Sequence, residues 1–253
     1  MLALEVALMS DRGGRKYNED ACGHWHSQQH LCCVLADGAG GHGGGDIASR
    51  LAVQELIGRF SERPASRATE LDDLLRTTNE VLIGQRVPGT AKQDMHSTVV
   101  CLVLDFVGHR ALWGHAGDSR MYWFRRGKLL QRTRDHSLVQ SLIDSGLVTV
   151  DQSRLHPKRS ELRSALGIAP DVLEVTTGEG ADAVAPGDVF LLCTDGLWEY
   201  LDDEALESSL VSSPNPGAWL GELSRQVRNA ASHKASHDNF SALTVWTRAA
   251  PDH

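Results

Sequence analysis

The sequence predicts an α+β fold in which sheets pack on one another and helices cover the outer faces. Short apolar runs recur along the chain, bounded by Gly, Asp or turn residues and rich in branched and aromatic side chains, as strands are. Several are joined by connections as tight as Phe106-Val-Gly-His109 and Arg125-Arg-Gly-Lys128, which suit antiparallel hairpins rather than βαβ crossovers. A few longer segments between them carry apolar residues at helical spacing.

Taken in chain order, Leu2–Leu8 alternates apolar and polar residues, and a second strand is expected after Asp20, carrying His24 and His26. Leu31–Ala36 is a short apolar run bounded by Asp37-Gly38 and reads as a strand. Asp46–Phe60 places Ile47, Leu51, Val53, Leu56, Ile57 and Phe60 in one broad stripe, and Glu70–Ile83 repeats the pattern through Leu71, Leu74, Leu75, Val81 and Leu82. Strands are predicted at Thr98–Phe106, Ala111–Ala116, Met121–Phe124, Val172–Thr176, Val189–Cys193 and Ala242–Thr247, and further helices at His136–Ser145 and Ala218–Ala231. The interval Asp144–Arg163 is polar and poorly periodic, and reads as a long excursion or lid, or flap, of residues 144–163.

The chain has 253 residues, 25 basic against 33 acidic, for a net charge of −8. That balance argues against a nucleic-acid binder, which shows a basic footprint. No uncharged apolar stretch approaches the ~18 residues of a membrane span, and the start lacks the basic region of a signal peptide. One domain over residues 1–253, without repeats or a linker, is expected. The five cysteines form no CxxC pair, and four lie in apolar runs, so reduced core thiols in a cytoplasmic protein are expected.

The apolar strands run into aspartates. Leu31–Ala36 meets Asp37-Gly38, Trp113–Gly117 meets Asp118, Val189–Thr194 meets Asp195, Asp238 precedes the run at Ala242, and Glu19-Asp20 precedes the second strand. One aspartate at a strand end is a turn residue. Several together can converge on one sheet edge, where their repulsion and burial call for divalent cations. An all-oxygen set without Cys or paired His suits Mg²⁺ or Mn²⁺ rather than zinc. Two such ions can activate a water for attack on phosphorus, with Arg15 as candidate for the outer phosphate oxygens or as a solvated surface charge.

Arg15-Lys-Tyr-Asn-Glu-Asp20, Ala36-Asp-Gly-Ala-Gly-Gly-His42, Gly117-Asp-Ser-Arg120, Thr194-Asp-Gly-Leu197 and Asp238-Asn239 stand in the order found in the metal-dependent type 2C protein phosphatases. Asp135-His-Ser-Leu-Val139, His156-Pro with Ala165-Leu-Gly167, and Pro186-Gly-Asp188 fill the gaps, so the chain resembles the compact bacterial members of this PPM family from about Ser10 to Val245. The resemblance implies a four-layer β-sandwich: two antiparallel sheets flanked by helices on both sides, with a metal centre between the sheets at one end. Asp37 would bridge two Mn²⁺ or Mg²⁺ ions. Asp195 and Asp238 would complete the first ion's shell, and the Gly38 carbonyl would serve the second, with Glu19 and Asp20 close by through waters. Asp118, with Asp195, would match the third-ion position of bacterial relatives, and Arg15 would bind the substrate phosphate. The implied reaction is hydrolysis of phosphoserine and phosphothreonine in proteins by a hydroxide bridging the two ions, without a phosphoenzyme. A cognate Ser/Thr kinase pathway is the implied counterpart, and a monomer is expected.

Ala39 departs from the pattern: animal members place there a histidine thought to protonate the leaving group, and His42, three residues on, does not inherit that role. A Ser160 stands near where the flap usually carries an asparagine. Other features have plainer readings. His24 and His26 are expected at a surface or edge rather than on zinc, Gly40–Gly45 lacks the Gly-Lys-Ser/Thr of a nucleotide loop, and Trp113, Trp198 and Trp246 are expected in the core. A two-metal nuclease would fit the carboxylates but not the acidic balance. A catalytically inactive regulatory binding module of the same fold is the alternative from another class, against which the intact Asp37, Asp195, Asp238 and Arg15 speak.

Overall fold

Two antiparallel sheets stack face to face, each covered on its outer side by helices. The computed structural model describes residues 2–39, 44–153, 155–234 and 236–250. One sheet has the order β1-β11-β10-β7-β8, formed by β1 (Leu2–Asp11), β11 (Phe240–Ala249), β10 (Asp188–Cys193), β7 (Arg120–Arg125) and β8 (Lys128–Arg132). The other runs β2-β3-β5-β6-β9, with β2 (Asp20–His26), β3 (His30–Ala39), β5 (Val99–Asp105), β6 (Arg110–Ala116) and β9 (Thr176–Glu179). The two-residue β4 (His96–Ser97) pairs with the end of β3, Gly38 opposite Ser97 and Ala39 opposite His96.

Side-chain alternation on β3 shows how the layers are joined. Leu31, Cys33 and Leu35 face the other sheet, where they share a core with Val100, Leu102, Trp123, Phe190, Leu192 and Leu243. The intervening Cys32, Val34 and Ala36 face α1 (Gly44–Glu62) and α2 (Ala68–Gly84), against Ala52, Leu56, Phe60, Leu71 and Leu75. Every residue of β5 is buried, because both of its faces are covered; its continuous apolar run has that cause. On the far side, Tyr122, Phe124, Leu191 and Phe240 meet Leu206 and Leu210 of α6 (Asp203–Ser212) and Trp219, Leu223 and Val227 of α7 (Pro216–Ala231). The layer order α-β-β-α is the sandwich expected from the family resemblance.

Some boundaries differ from those expected. The strand placed at Val172–Thr176 lies instead at Thr176–Glu179, because pairing with Leu112–His115 of β6 sets it, while Val172 is 60% exposed. The helix placed at His136–Ser145 is α3 (Leu138–Asp144), which starts where the Ser137 hydroxyl accepts the Gln140 N–H at 3.2 Å. Neither β8, exposed at alternate residues, nor α6, with three buried side chains, was anticipated as an element. Among the described residues of 144–163, α4 (Val150–Ser153) forms one short helical turn, and the segment is tied at its root by a bridge between Ser137 and Leu162. Among the described residues, no helix is long and apolar enough to cross a membrane, and all five cysteines are free, four of them buried.

Candidate metal centre

Asp37 continues the inward-facing series Leu31, Cys33, Leu35 on β3, so its carboxylate enters the space between the sheets at the end where the apolar core stops. Asp20 is its direct cross-strand partner on β2. From the opposite sheet, β10 ends at Cys193 and leads through Thr194 into the one-turn helix α5 (Asp195–Trp198). Asp238 lies just before β11, and Asp118 occupies the turn from β6 to β7, where the chain passes between sheets. Strands of both sheets thus deliver their carboxylates to one end of the sandwich.

The ionisation of these groups records their proximity. Burial, then the charges of Asp195, Asp20, Asp118 and Asp238, push Asp37 well above the carboxylate range. Asp195 is raised to about 7 by burial and by Asp238, Glu199 and Asp20. Asp20 is raised to about 6 by burial and Asp238, against hydrogen bonds from Ser241 and Thr194. Burial, Asp195 and Asp135 push Asp118 well up, with Arg120 opposing. Glu19 is raised by burial and Asp46, with Arg15 opposing. Among the described residues, Asp238 alone of these carboxylates is ion-paired, Arg15 Nη2 to Oδ2 at 2.6 Å, and that pair is largely exposed. Five carboxylates thus affect one another, yet among the described residues no three His, Cys, Asp or Glu side chains already meet closely enough to share one ion.

A scaffold of uncharged groups fixes the backbone around them. Asn239 Oδ1 accepts the Glu19 N–H at 2.9 Å, while its Nδ2 donates to the carbonyls of Arg12 at 2.7 Å and Tyr17 at 2.9 Å. This one amide therefore ties the Asp238, Glu19 and Arg15 loops together. The Thr194 hydroxyl donates to Asp20 Oδ2 at 3.1 Å across the two sheets. Thr98 Oγ1 accepts the Asp37 N–H at 3.1 Å and pairs with Ser119 Oγ at 2.7 Å. Gly38 has no alternative at its position: a Cβ there would lie 2.0 Å from the Gly45 carbonyl oxygen.

Sequence reasoning found the carboxylates and Arg15, and the fold brings Glu19, Asp20, Asp37, Gly38, Asp118, Asp195 and Asp238 to the same end. Asn239 and Thr194 lie inside the Asp238-Asn239 and Thr194–Leu197 motifs, but nothing local in the sequence marks their roles. Trp198, expected in the core, packs half-buried at its margin, where its Nε1 also donates to the Asp118 carbonyl at 2.9 Å and Arg120 stacks 3.5 Å above its ring. Arg120 in turn makes a two-point ion pair with Asp135, both contacts at 2.8 Å. His24 and His26 are exposed, as expected. Ala39 stands exposed at the end of β3, and His42 lies outside the described residues.

Comparison with known proteins agrees with this architecture. The protein phosphatase 2C family profile matches residues 10–238. The serine/threonine phosphatase stp of Listeria monocytogenes is 32% identical over 250 residues, covering 96% of this chain and 95% of that protein. The serine/threonine protein phosphatase PstP of Mycobacterium tuberculosis is 35% identical over 211 residues, 83% of this chain; the match spans only 39% of PstP's length. The crystal structure of the PstP catalytic domain in complex with two manganese ions superposes with a TM-score of 0.81 at 29% identity, covering 98% of this chain and 100% of that one. The chain belongs to the protein phosphatase 2C family.

Proposed function

We propose that the chain hydrolyses phosphoserine and phosphothreonine in proteins at the end of the sandwich where its aspartates gather, using two Mn²⁺ or Mg²⁺ ions. One observation carries this: Asp37 is pushed far up by burial and by Asp195, Asp20, Asp118 and Asp238 together, while Asp20 Oδ1 and Asp195 Oδ1 are buried without a hydrogen-bond partner. Buried, mutually repelling, unpartnered carboxylate oxygens are the donor set of a hard divalent cation and a costly arrangement for anything else.

Asp37, Asp195, Asp238 and the Gly38 carbonyl would hold the pair of ions, with Glu19 and Asp20 behind them and Asp118 with Asp195 at a third position. Side-chain rotation of the aspartates is what drawing them onto an ion requires. When bound, such ions lower the pKa of water and shield the phosphoryl charge. The chain's own residues do the rest. Arg15 presents an exposed guanidinium whose planar fork matches phosphate oxygens, and a phosphate would compete with Asp238 for it. Asn239 keeps the Arg15 loop in register with Glu19, and Thr194 keeps Asp20 in register with the opposite sheet. Ala39 offers no proton donor where animal members have histidine. The counterpart is a Ser/Thr kinase acting on the same proteins, and free, mostly buried thiols suit the reducing cytoplasm.

Hydrolysis of p-nitrophenyl phosphate and phosphothreonine peptides, compared in Mn²⁺, Mg²⁺ and EDTA with Asp37→Asn as control, tests the proposal. Activity surviving both EDTA and Asp37→Asn would sink the two-metal reading. Preferential cleavage of phosphotyrosine would refute the substrate class. Bound metal with no hydrolysis of any phosphopeptide would leave an inactive binding module instead.

A further inference from the structure

The Asp118 carboxylate belongs to a turn whose main chain is gripped from several sides. Gly117, with φ at +108°, opens the turn, and a Cβ there would sit 2.8 Å from Thr98 Cβ, so the turn depends on that glycine. The Gly117 carbonyl accepts the His136 N–H at 2.9 Å, and the Gly117 N–H donates to His136 Nδ1 at 3.3 Å. His136 thus closes a ring of two hydrogen bonds on one residue, immediately before Asp118. The Trp198 indole holds the Asp118 carbonyl from the other direction.

The geometry around His136 fixes its chemistry. To accept the Gly117 N–H, Nδ1 must be unprotonated, which leaves the proton on Nε2, 2.8 Å from the accepting Thr176 hydroxyl oxygen. The imidazole is 3% exposed and stacks on His115 with centroids 4.4 Å apart. His115 in turn donates from Nε2 to the Arg134 carbonyl at 2.8 Å. Burial and the neighbouring His115 push His136 down to about 4, in keeping with a neutral ring. The main chain of the same residue ties the root of the 144–163 excursion, since the His136 carbonyl accepts the Arg163 N–H at 2.8 Å.

We infer that His136 is a positioning residue: through Nδ1 it fixes the Gly117–Asp118 turn, and so the orientation in which the Asp118 carboxylate can take a divalent cation. The inference rests on the metal reading of Asp118 given above. It assigns His136 no contact with substrate. Partners behind metal ligands commonly change metal affinity about ten- to hundredfold when removed.

The test uses the purified chain and free-Mn²⁺ titration by electron paramagnetic resonance. His136→Asn sets a carbonyl oxygen near the Nδ1 position and preserves an acceptor for Gly117. His136→Gln places its oxygen near the Nε2 position and leaves the Gly117 N–H bare. Asp118→Asn is the reference and is expected to lose the weakest class of Mn²⁺ sites. His136→Gln is expected to weaken that same class by about tenfold with the tighter ions unchanged, and His136→Asn to restore it to within about threefold of the parent. Mn²⁺ binding by His136→Gln equal to the parent, or an equal loss in both His136 variants, would overturn the inference. Side-chain ¹⁵N spectra of the parent give a readout independent of any variant's folding: Nδ1 of His136 is expected to be unprotonated, and a protonated Nδ1 refutes the role. Should Asp118→Asn bind Mn²⁺ as the parent does, the metal reading of Asp118 fails and takes the inference with it. Loss in Asp118→Asn without loss in His136→Gln removes the role of His136 alone.

Discussion

Asp20 and Asp37 stand directly opposite each other on β2 and β3, two carboxylates paired across one strand ladder at the end of a buried core. Like charges in this relation are destabilising, and burial enlarges the cost. Asp37→Asn replaces a carboxyl that burial and its neighbours hold against ionisation, and is expected to act in opposite directions on stability and function. Without metal the variant should melt higher than the parent, by a few degrees if the relief is about 1 kcal/mol. With Mn²⁺ its melting temperature should barely move, whereas the parent's should rise, and turnover should fall at least about a hundredfold. Scanning calorimetry with and without Mn²⁺ checks this; an equal Mn²⁺-induced rise in both proteins would remove Asp37 from the ligand set.

Protons and metal ions compete for the same oxygens. Asp195 is raised to about 7 and Asp20 to about 6, both from an ordinary value of 3.8. Between about pH 4 and pH 7 the metal-free folded chain therefore binds more protons at these groups than the unfolded chain does. Their contribution to stability is present at low pH and is lost as pH rises through 6 to 7. Divalent cations reverse the penalty, so the Mn²⁺-induced gain in melting temperature should be small at pH 5.5 and large at pH 7.5, with protons released on binding. Melting curves at the two pH values, and calorimetric titration in buffers of different ionisation enthalpy, measure both quantities. A gain that shrinks with rising pH would contradict the assignment.

What the sequence made legible follows from how locally each feature is encoded. Leu31–Ala36 and Thr98–Phe106 read as strands because the elements they mark, β3 and β5, are buried on both faces and therefore largely apolar. Asp37, Asp195 and Asp238 stood out because a charge at the end of such a run has no local purpose beyond a turn. By contrast, β9 is a polar Thr-Thr-Gly-Glu segment whose place is set by β6, and no local pattern announces it. The grips on the site were hidden for the same reason. His136 and Gly117 lie 19 residues apart, and Asn239 and Glu19 are 220 apart, so those contacts exist only once both sheets are stacked.

Arg15 separates substrate binding from stability. Its contact with Asp238 is an exposed ion pair, with side chains 56% and 41% exposed. Such pairs contribute about 0–1 kcal/mol, so Arg15→Ala should leave the melting temperature nearly unchanged. Loss of a charge-assisted fork to phosphate should instead raise KM for a phosphopeptide by roughly ten- to hundredfold. Arg15→Lys keeps the charge without the planar fork and should recover only part of that loss. Steady-state kinetics alongside thermal melts decide the matter, and an unchanged KM in Arg15→Ala would reduce this residue to a solvated charge.

Trp219 provides the opposite separation, fold without site. It is fully buried in the layer between α7 and the β1-β11-β10-β7-β8 sheet, edge-on to Phe124 with centroids 5.9 Å apart, and its Nε1 donates to Ser209 Oγ at 2.9 Å. Its cluster reaches Leu197 and Phe240, close in sequence to Asp195 and Asp238, but Trp219 itself sits on α7. Trp219→Ala leaves a large cavity and takes away the donor to Ser209 Oγ, which still donates to the Leu206 carbonyl, at a cost of about 3–5 kcal/mol. Trp219→Phe fills most of the space, loses only the hydrogen bond, and should cost less than half as much. Both variants should bind Mn²⁺ with the parent's stoichiometry and turn over p-nitrophenyl phosphate at the parent's rate per folded molecule at low temperature. Denaturant unfolding gives the first quantity and active-fraction-corrected kinetics the second. A turnover loss in Trp219→Phe exceeding its loss of folded protein would show that this helix layer also sets the geometry of the metal centre.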